Sequence, residues 1–181
     1  MRLPNIITLG RLLSVPLTIW FILNGRTDIA FWVFAAAGAS DAIDGFIAKH
    51  FDQVSELGRF LDPIADKVLL VSIFLTLGQL GYLPLWLVIL VVSRDALIVG
   101  GAVFSFVLKL PFAGWPMMIS KVNTAGQIVL AGAVLATVGL GVDFGMIPEL
   151  LVYAVAVTTV VSGGWYIVRW AGTASGSGEI G

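Results

Sequence analysis

Six stretches of about twenty mostly apolar residues follow one another along the chain, at 5–24, 29–49, 58–80, 84–108, 119–140 and 147–170, with short polar turns between them. As a helix, each is long enough to cross the roughly 30 Å hydrocarbon core of a bilayer. The expected fold is therefore all-α, an integral membrane bundle of six transmembrane helices. Composition points the same way: 59% of residues are hydrophobic and 12% are charged, about half the charged share of a soluble domain.

The 181 residues suffice for one such bundle. We expect a single membrane domain over 1–171 and a disordered tail over 172–181, where the sequence turns small and polar. A net charge of -1 gives no basis for a nucleic-acid partner. The absence of cysteine excludes disulfides and thiolate metal sites, and the lone His50 argues against a histidine zinc site. The N-terminal stretch could pass for a signal peptide, but Pro4, Asn5, Thr8 and Arg11 interrupt it and no small-residue cleavage site precedes Arg26. It reads as an interfacial turn feeding the first span. Asn5, Thr8 and Arg11 recur at three-residue steps, either as a polar stripe facing a site or as an interfacial helix face.

Turn chemistry separates the spans at Asn24-Gly25-Arg26 and at Gly81-Tyr82-Leu83-Pro84. The small run Ala35–Ser40 lets a neighbouring helix approach closely. Pro63 should either kink its helix or mark its first turn. Six spans put both termini on one side, together with Arg2, Arg11, Lys49, Arg59, Lys109, Lys121 and Arg169, against Arg26 on the other. The positive-inside rule then makes the termini and the 50–57 loop cytoplasmic.

Against this apolar background, four carboxylates gather between Asp41 and Asp66. Asp41 and Asp44 are three apart, and Asp62 and Asp66 are four apart, so two helices would each present a pair on one face. Gly45 and Ala48 continue the first face, and Gly58 lies one turn before Asp62. An ionised Asp in hydrocarbon costs several kcal/mol, so a cluster of four needs a compensating partner. Lys67 and Arg94 are too few, and Lys67 sits on the wrong helix face relative to Asp66. Divalent cations resolve the conflict, and oxygen-only ligands select Mg²⁺ or Mn²⁺ over Zn²⁺. Two such ions close together form a clamp for phosphoryl displacement. Gly45 and Gly58 leave room for a phosphate or nucleotide to lie against backbone.

The pattern Asp41-x2-Asp44-Gly45-x2-Ala48-Lys49-x8-Gly58-x3-Asp62-x3-Asp66 resembles the signature of the CDP-alcohol phosphatidyltransferases. One position departs, since the family usually has Arg where this chain has Lys49, which keeps the charge but loses the bidentate fork. The resemblance implies a six-helix membrane enzyme, often a homodimer, with its site at the cytoplasmic face of a bacterial inner membrane or the matrix face of a mitochondrial one. It implies transfer of a phosphatidyl group from CDP-diacylglycerol to an alcohol, releasing CMP. Residue by residue, it makes Asp41, Asp44 and Asp62 metal ligands. It makes Asp66 the general base, also within reach of a metal, and Gly45, Ala48, Lys49 and Gly58 the CDP-binding positions.

The acceptor is read from finer likenesses. The segments PNIITLGR and ELGRFLDPIADK resemble phosphatidylglycerophosphate synthases, which use glycerol 3-phosphate. Ser93-Arg94-Asp95, Ser120-Lys121-Val122-Asn123-Thr124 and TTVVSGGWY resemble CMP-forming cardiolipin synthases, which use phosphatidylglycerol. The later segments should face the acceptor, so phosphatidylglycerol is the expected one, with Arg94 and Lys121 on its phosphate. Each has a blander alternative: Arg94 as a local pair with Asp95, and Lys121 as a snorkelling anchor. A divalent-cation transporter would also hold buried carboxylates, but inverted repeats and mid-membrane helix breaks would then be expected; the sequence has one cluster at one edge.

Overall fold

The computed structural model describes the backbone of residues 3–51, 56–107 and 118–176, and side chains within 10–40, 67–101 and 118–168. Six α-helices and no strand are present among the described residues: α1 Leu3–Leu23, α2 Thr27–Phe51, α3 Glu56–Gln79, α4 Leu85–Val107, α5 Met118–Leu140 and α6 Ile147–Gly176. Each expected span coincides with one helix. Over the described residues, Met118–Leu140 and Ile147–Val168 are long and apolar enough to cross a membrane, and Gly10–Leu23, Thr27–Ser40 and Lys67–Gln79 are shorter apolar stretches.

Two of the turns share one mechanism. Gly25 and Gly81 sit at φ 72° and 78°, the left-handed conformation glycine adopts without steric cost. Each follows a helix end whose last carbonyls are then satisfied from beyond it. Arg26 N–H donates to Phe21 O at 2.9 Å and Gly25 N–H to Ile22 O at 3.1 Å. Tyr82 N–H donates to Leu77 O at 2.9 Å and Gly81 N–H to Gly78 O at 3.1 Å. This pair of bonds stops a helix sharply and lets the next one return.

α1 packs on α2 and α3, α5 on α2, α3 and α6, and α4 on α3 and α6. The core between them is built from Ile73, Phe74 and Leu77 of α3, Leu87, Val88 and Val91 of α4, Leu130 and Leu135 of α5, and Val155 of α6. The outer faces are apolar as well: Leu13, Trp32, Leu85, Tyr153 and Val157 are all exposed. Water would not favour so much exposed apolar surface, whereas a lipid environment does.

Within α1, α2, α3, α5 and α6, hydroxyl side chains turn back on their own helices, as Thr18 Oγ1 does to Ser14 O at 2.7 Å and Thr76 Oγ1 to Ser72 O at 2.7 Å. This satisfies them without water. Arg11 is buried, so this member of the early polar stripe lies inside the bundle; Asn5 and Thr8 have side chains outside the described ones. α3 begins seven residues before Pro63, which rules out the first-turn alternative and leaves the proline in the helix interior. α6 runs on to Gly176, past the boundary expected at 171. Residues 177–181 lie outside the described ones.

Candidate functional site

The two carboxylate segments fall where one helix ends and the next begins. Asp41, Asp44, Gly45, Ala48 and Lys49 occupy the last three turns of α2, and Gly58, Asp62 and Asp66 the first three turns of α3. Both segments are helical, so the three- and four-residue spacings give each pair of aspartates a common face. The side chains of 41–66 lie outside the described residues, and so do the distances among these eight positions. No group of three metal-ligating side chains occurs among the described residues. The donor set the sequence supplies at these helix ends consists of carboxylates alone, which suits a hard divalent cation.

Directly after Asp66 the side chains are described, and a buried charged centre follows. Lys67 Nζ of α3 reaches both carboxylate oxygens of Asp95 on α4, each at 2.8 Å. Arg94 Nη1 donates to Asp95 Oδ1 at 2.7 Å. The same guanidinium, through Nη2, donates to Ser120 Oγ of α5 at 2.7 Å and to Ser162 Oγ of α6 at 2.5 Å. Arg94 and Asp95 are each only 3% exposed. Two cations thus share one buried carboxylate, Arg94 from inside the bundle and Lys67 from a half-buried position. Arg94 Nε is buried with no hydrogen-bond partner. The local Arg94–Asp95 pair anticipated from sequence is present; the guanidinium also joins α5 and α6 to it, and Asp95 joins α3 through Lys67.

A second polar layer lies one turn deeper in α5. Asn123 is fully buried, and its Oδ1 accepts from Thr158 Oγ1 at 2.8 Å and Thr159 Oγ1 at 2.9 Å, both on α6. Gln127, one turn on, is also fully buried, and neither amide atom has a partner; nor has Asn123 Nδ2. Amides buried without partners are costly in an apolar bundle. Sequence reading passed over Gln127 and Ser162. The available signal was the i, i+4 recurrence of amides at Asn123 and Gln127 inside an otherwise apolar helix.

Lys121 points the other way. It is exposed, on a shallow groove of about 360 Å³ lined by Ser120, Lys121, Thr124, Ala125 and Ile128. The groove is polar at its Ser120–Thr124 end and apolar toward Ile128. Ser120 belongs to both places, since its hydroxyl accepts from Arg94. The structure therefore brings Arg94 to Ser120 and Ser162, and leaves Lys121 on the outer face of the same helix.

Comparison with known proteins follows the same lines. The family model for CDP-alcohol phosphatidyltransferase matches residues 1–163. The chain is 35% identical to a rice protein named CDP-diacylglycerol--glycerol-3-phosphate 3-phosphatidyltransferase 1, chloroplastic, over 94% of this chain and 57% of the relative. It is 32% identical to the rat cardiolipin synthase (CMP-forming), over 88% of this chain and 58% of the relative. It is also 32% identical to a probable phosphatidylglycerophosphate synthase of Mycobacterium tuberculosis, over 79% of each. The chain spans little more than half the length of the rice and rat proteins. With the family model matched over nine-tenths of its length and the aspartate pattern set on two helix ends, the chain belongs to the CDP-alcohol phosphatidyltransferase family.

Proposed function

We propose that this protein transfers a phosphatidyl group from CDP-diacylglycerol to the free hydroxyl of a phosphate-bearing alcohol, with phosphatidylglycerol as the acceptor and cardiolipin and CMP as products. The observation that carries this reading is the aspartate pattern Asp41…Asp66 set on the end of α2 and the start of α3 in a chain of this family. The acceptor hydroxyl attacks the phosphorus that bears diacylglycerol. The new P–O bond forms as the diphosphate P–O bond breaks, and CMP leaves. Asp66 takes the hydroxyl proton. Asp41, Asp44 and Asp62, with Asp66 in reach, would hold two divalent cations, Mg²⁺ or Mn²⁺, which neutralise charge on the diphosphate when bound. Gly45, Ala48, Lys49 and Gly58 line the CDP moiety in this reading; Lys121, exposed on α5, meets the acceptor phosphate, while Arg94, bonded to Asp95, Ser120 and Ser162, adds its positive charge from inside the bundle.

Two features support a lipid acceptor. The segments around Arg94, Ser120 and Ser162 are the ones that resemble CMP-forming cardiolipin synthases, and they meet at one guanidinium. The groove beside Lys121 passes from polar to apolar along α5, which suits a phospholipid better than a small soluble phosphate. The second reading, glycerol 3-phosphate as acceptor, is favoured by the names of the rice and mycobacterial relatives. In either case we place all six helices across a bacterial or mitochondrial inner membrane, with the α2–α3 connection on the cytoplasmic or matrix side, paired as a homodimer.

Purified protein given labelled CDP-diacylglycerol and either acceptor separates the readings. Labelled cardiolipin with phosphatidylglycerol, and no product with glycerol 3-phosphate, supports the first. CMP and phosphatidylglycerophosphate formed from glycerol 3-phosphate alone overturns it in favour of the second.

A further inference from the structure

The Lys67–Asp95 pair joins two helices that the proposed reaction uses for different tasks. α3 carries Asp62 and Asp66 in its first three turns; α4 carries Arg94. Lys67 comes immediately after Asp66 and is the described side chain on α3 nearest the aspartates. Successive helix positions turn by about 100°, so fixing the direction of Lys67 fixes the rotation of α3 about its axis at the level of Asp66. The fixing is tight, because both carboxylate oxygens of Asp95 accept from Nζ at 2.8 Å. Asp95 is in turn held by Arg94 Nη1 at 2.7 Å, and Arg94 by Ser120 and Ser162. The chain of bonds therefore runs from α3 through α4 to α5 and α6.

We infer that Asp95 is a positioning residue. Through Lys67 it sets the rotational register of the helix that bears the general base, relative to the helices that meet the acceptor. This inference rests on the reaction proposed above. Asp95 acts through Lys67 and Arg94 and is not itself a catalytic residue. Its burial explains why a carboxylate is needed there, since a neutral group would leave the buried Arg94 without a counter-charge and the half-buried Lys67 without a partner. Among the described side chains of α3, those that enter the core run from Leu69 and Leu70 to Ile73, Phe74 and Leu77, on the turns that follow Lys67.

The test compares Asp95→Asn, Lys67→Met, Lys67→Arg and the double variant Lys67→Met/Asp95→Asn with the full-length wild type. Steady-state kinetics are read with both substrates, and hydrogen exchange is read helix by helix. The inference expects Asp95→Asn and Lys67→Met each to lower kcat by about 100-fold, the order of loss for a misplacement near 1 Å, with the KM for CDP-diacylglycerol little changed. The double variant should lose no more than the worse single one, because both break the same link. Lys67→Arg should restore most of kcat. Exchange should quicken in the first three turns of α3 and stay unchanged in α5 and α6. Lys67→Met leaves the Arg94–Asp95 pair intact, so it decides the matter if Asp95→Asn does not fold. An unchanged kcat, additive losses in the double variant, or activity that falls only in step with the folded fraction would overturn the inference. If the wild type transfers nothing to any acceptor, the proposed reaction falls. The exchange data then decide the link alone: quickening confined to α3 upholds it, and unchanged exchange removes it.

Discussion

Gly139→Ala should destabilise the bundle, although alanine is the better helix former. A Cβ built at Gly139 of α5 would lie 2.4 Å from Thr27 C and 2.5 Å from both Asp28 N and Thr27 O. These are backbone atoms in the first turn of α2, so no side chain can swing aside. Ordinary contact begins at 3.4 Å, so α5 and the start of α2 would have to part by about 1 Å, opening a join that the glycine makes close. Overpacking of this kind costs about 1–3 kcal/mol, and the intrinsic gain of alanine over glycine in a helix offsets about 0.5–1 kcal/mol. The net loss should be about 1 kcal/mol, and up to about 2 where the backbone contact cannot relax. Gly132, two turns earlier on α5, provides the internal control: its Cβ would meet Phe34 Cε1 of α2 at 3.7 Å, an ordinary contact. Gly132→Ala should therefore be neutral or stabilising by up to about 1 kcal/mol. Unfolding of both variants in the same detergent, followed by circular dichroism against denaturant, gives the comparison. Equal stabilities for the two variants would refute the claim that α5 and α2 touch backbone to side-chain-free backbone at Gly139.

Ser162→Ala removes a hydroxyl 2.5 Å from the Arg94 guanidinium and should cost about 1.5–3 kcal/mol in the same unfolding assay, the range for a hydrogen bond to a charged group; a loss under about 0.5 kcal/mol would mean that Ser120 alone suffices. Asp41→Asn, Asp44→Asn and Asp62→Asn should each raise the concentration of Mn²⁺ needed for half-maximal CMP release, and full wild-type activity in a chelator would contradict metal dependence. Reporter fusions in the 50–57 connection should report the same side as both termini; a fusion reporting the opposite side would invert the proposed topology.

The helices were legible because hydropathy is a local property: Leu85–Val107 and Met118–Leu140 each fall within one residue of the expected spans at 84–108 and 119–140. The turns at Gly25 and Gly81 were legible for the same reason, since only a few residue types stop a helix this way. Partnerships across the bundle were not. Arg94 and Asp95 are neighbours in sequence, so a local pair was an available reading, but Ser120 and Ser162 lie 26 and 68 positions beyond Arg94. Lys67 was set aside as facing away from Asp66; its partner Asp95 is 28 positions on, and periodicity along one helix carries no information about which helix packs beside it. The roles of the aspartates rest on their spacing and on the family, because the side chains of 41–66 lie outside the described residues.

The central claim is that this chain activates an acceptor hydroxyl for attack on CDP-diacylglycerol and that Asp66 takes the proton. The most direct measurement places wild type and Asp66→Asn side by side with labelled CDP-diacylglycerol, Mn²⁺ and phosphatidylglycerol, and reads bound substrate, CMP and labelled cardiolipin in the same samples. The account predicts CMP and cardiolipin from the wild type only when the acceptor is present, and a variant that binds CDP-diacylglycerol normally yet releases no CMP. A variant that releases CMP at the wild-type rate, or a wild type that binds CDP-diacylglycerol and passes its phosphatidyl group to no acceptor, would contradict it.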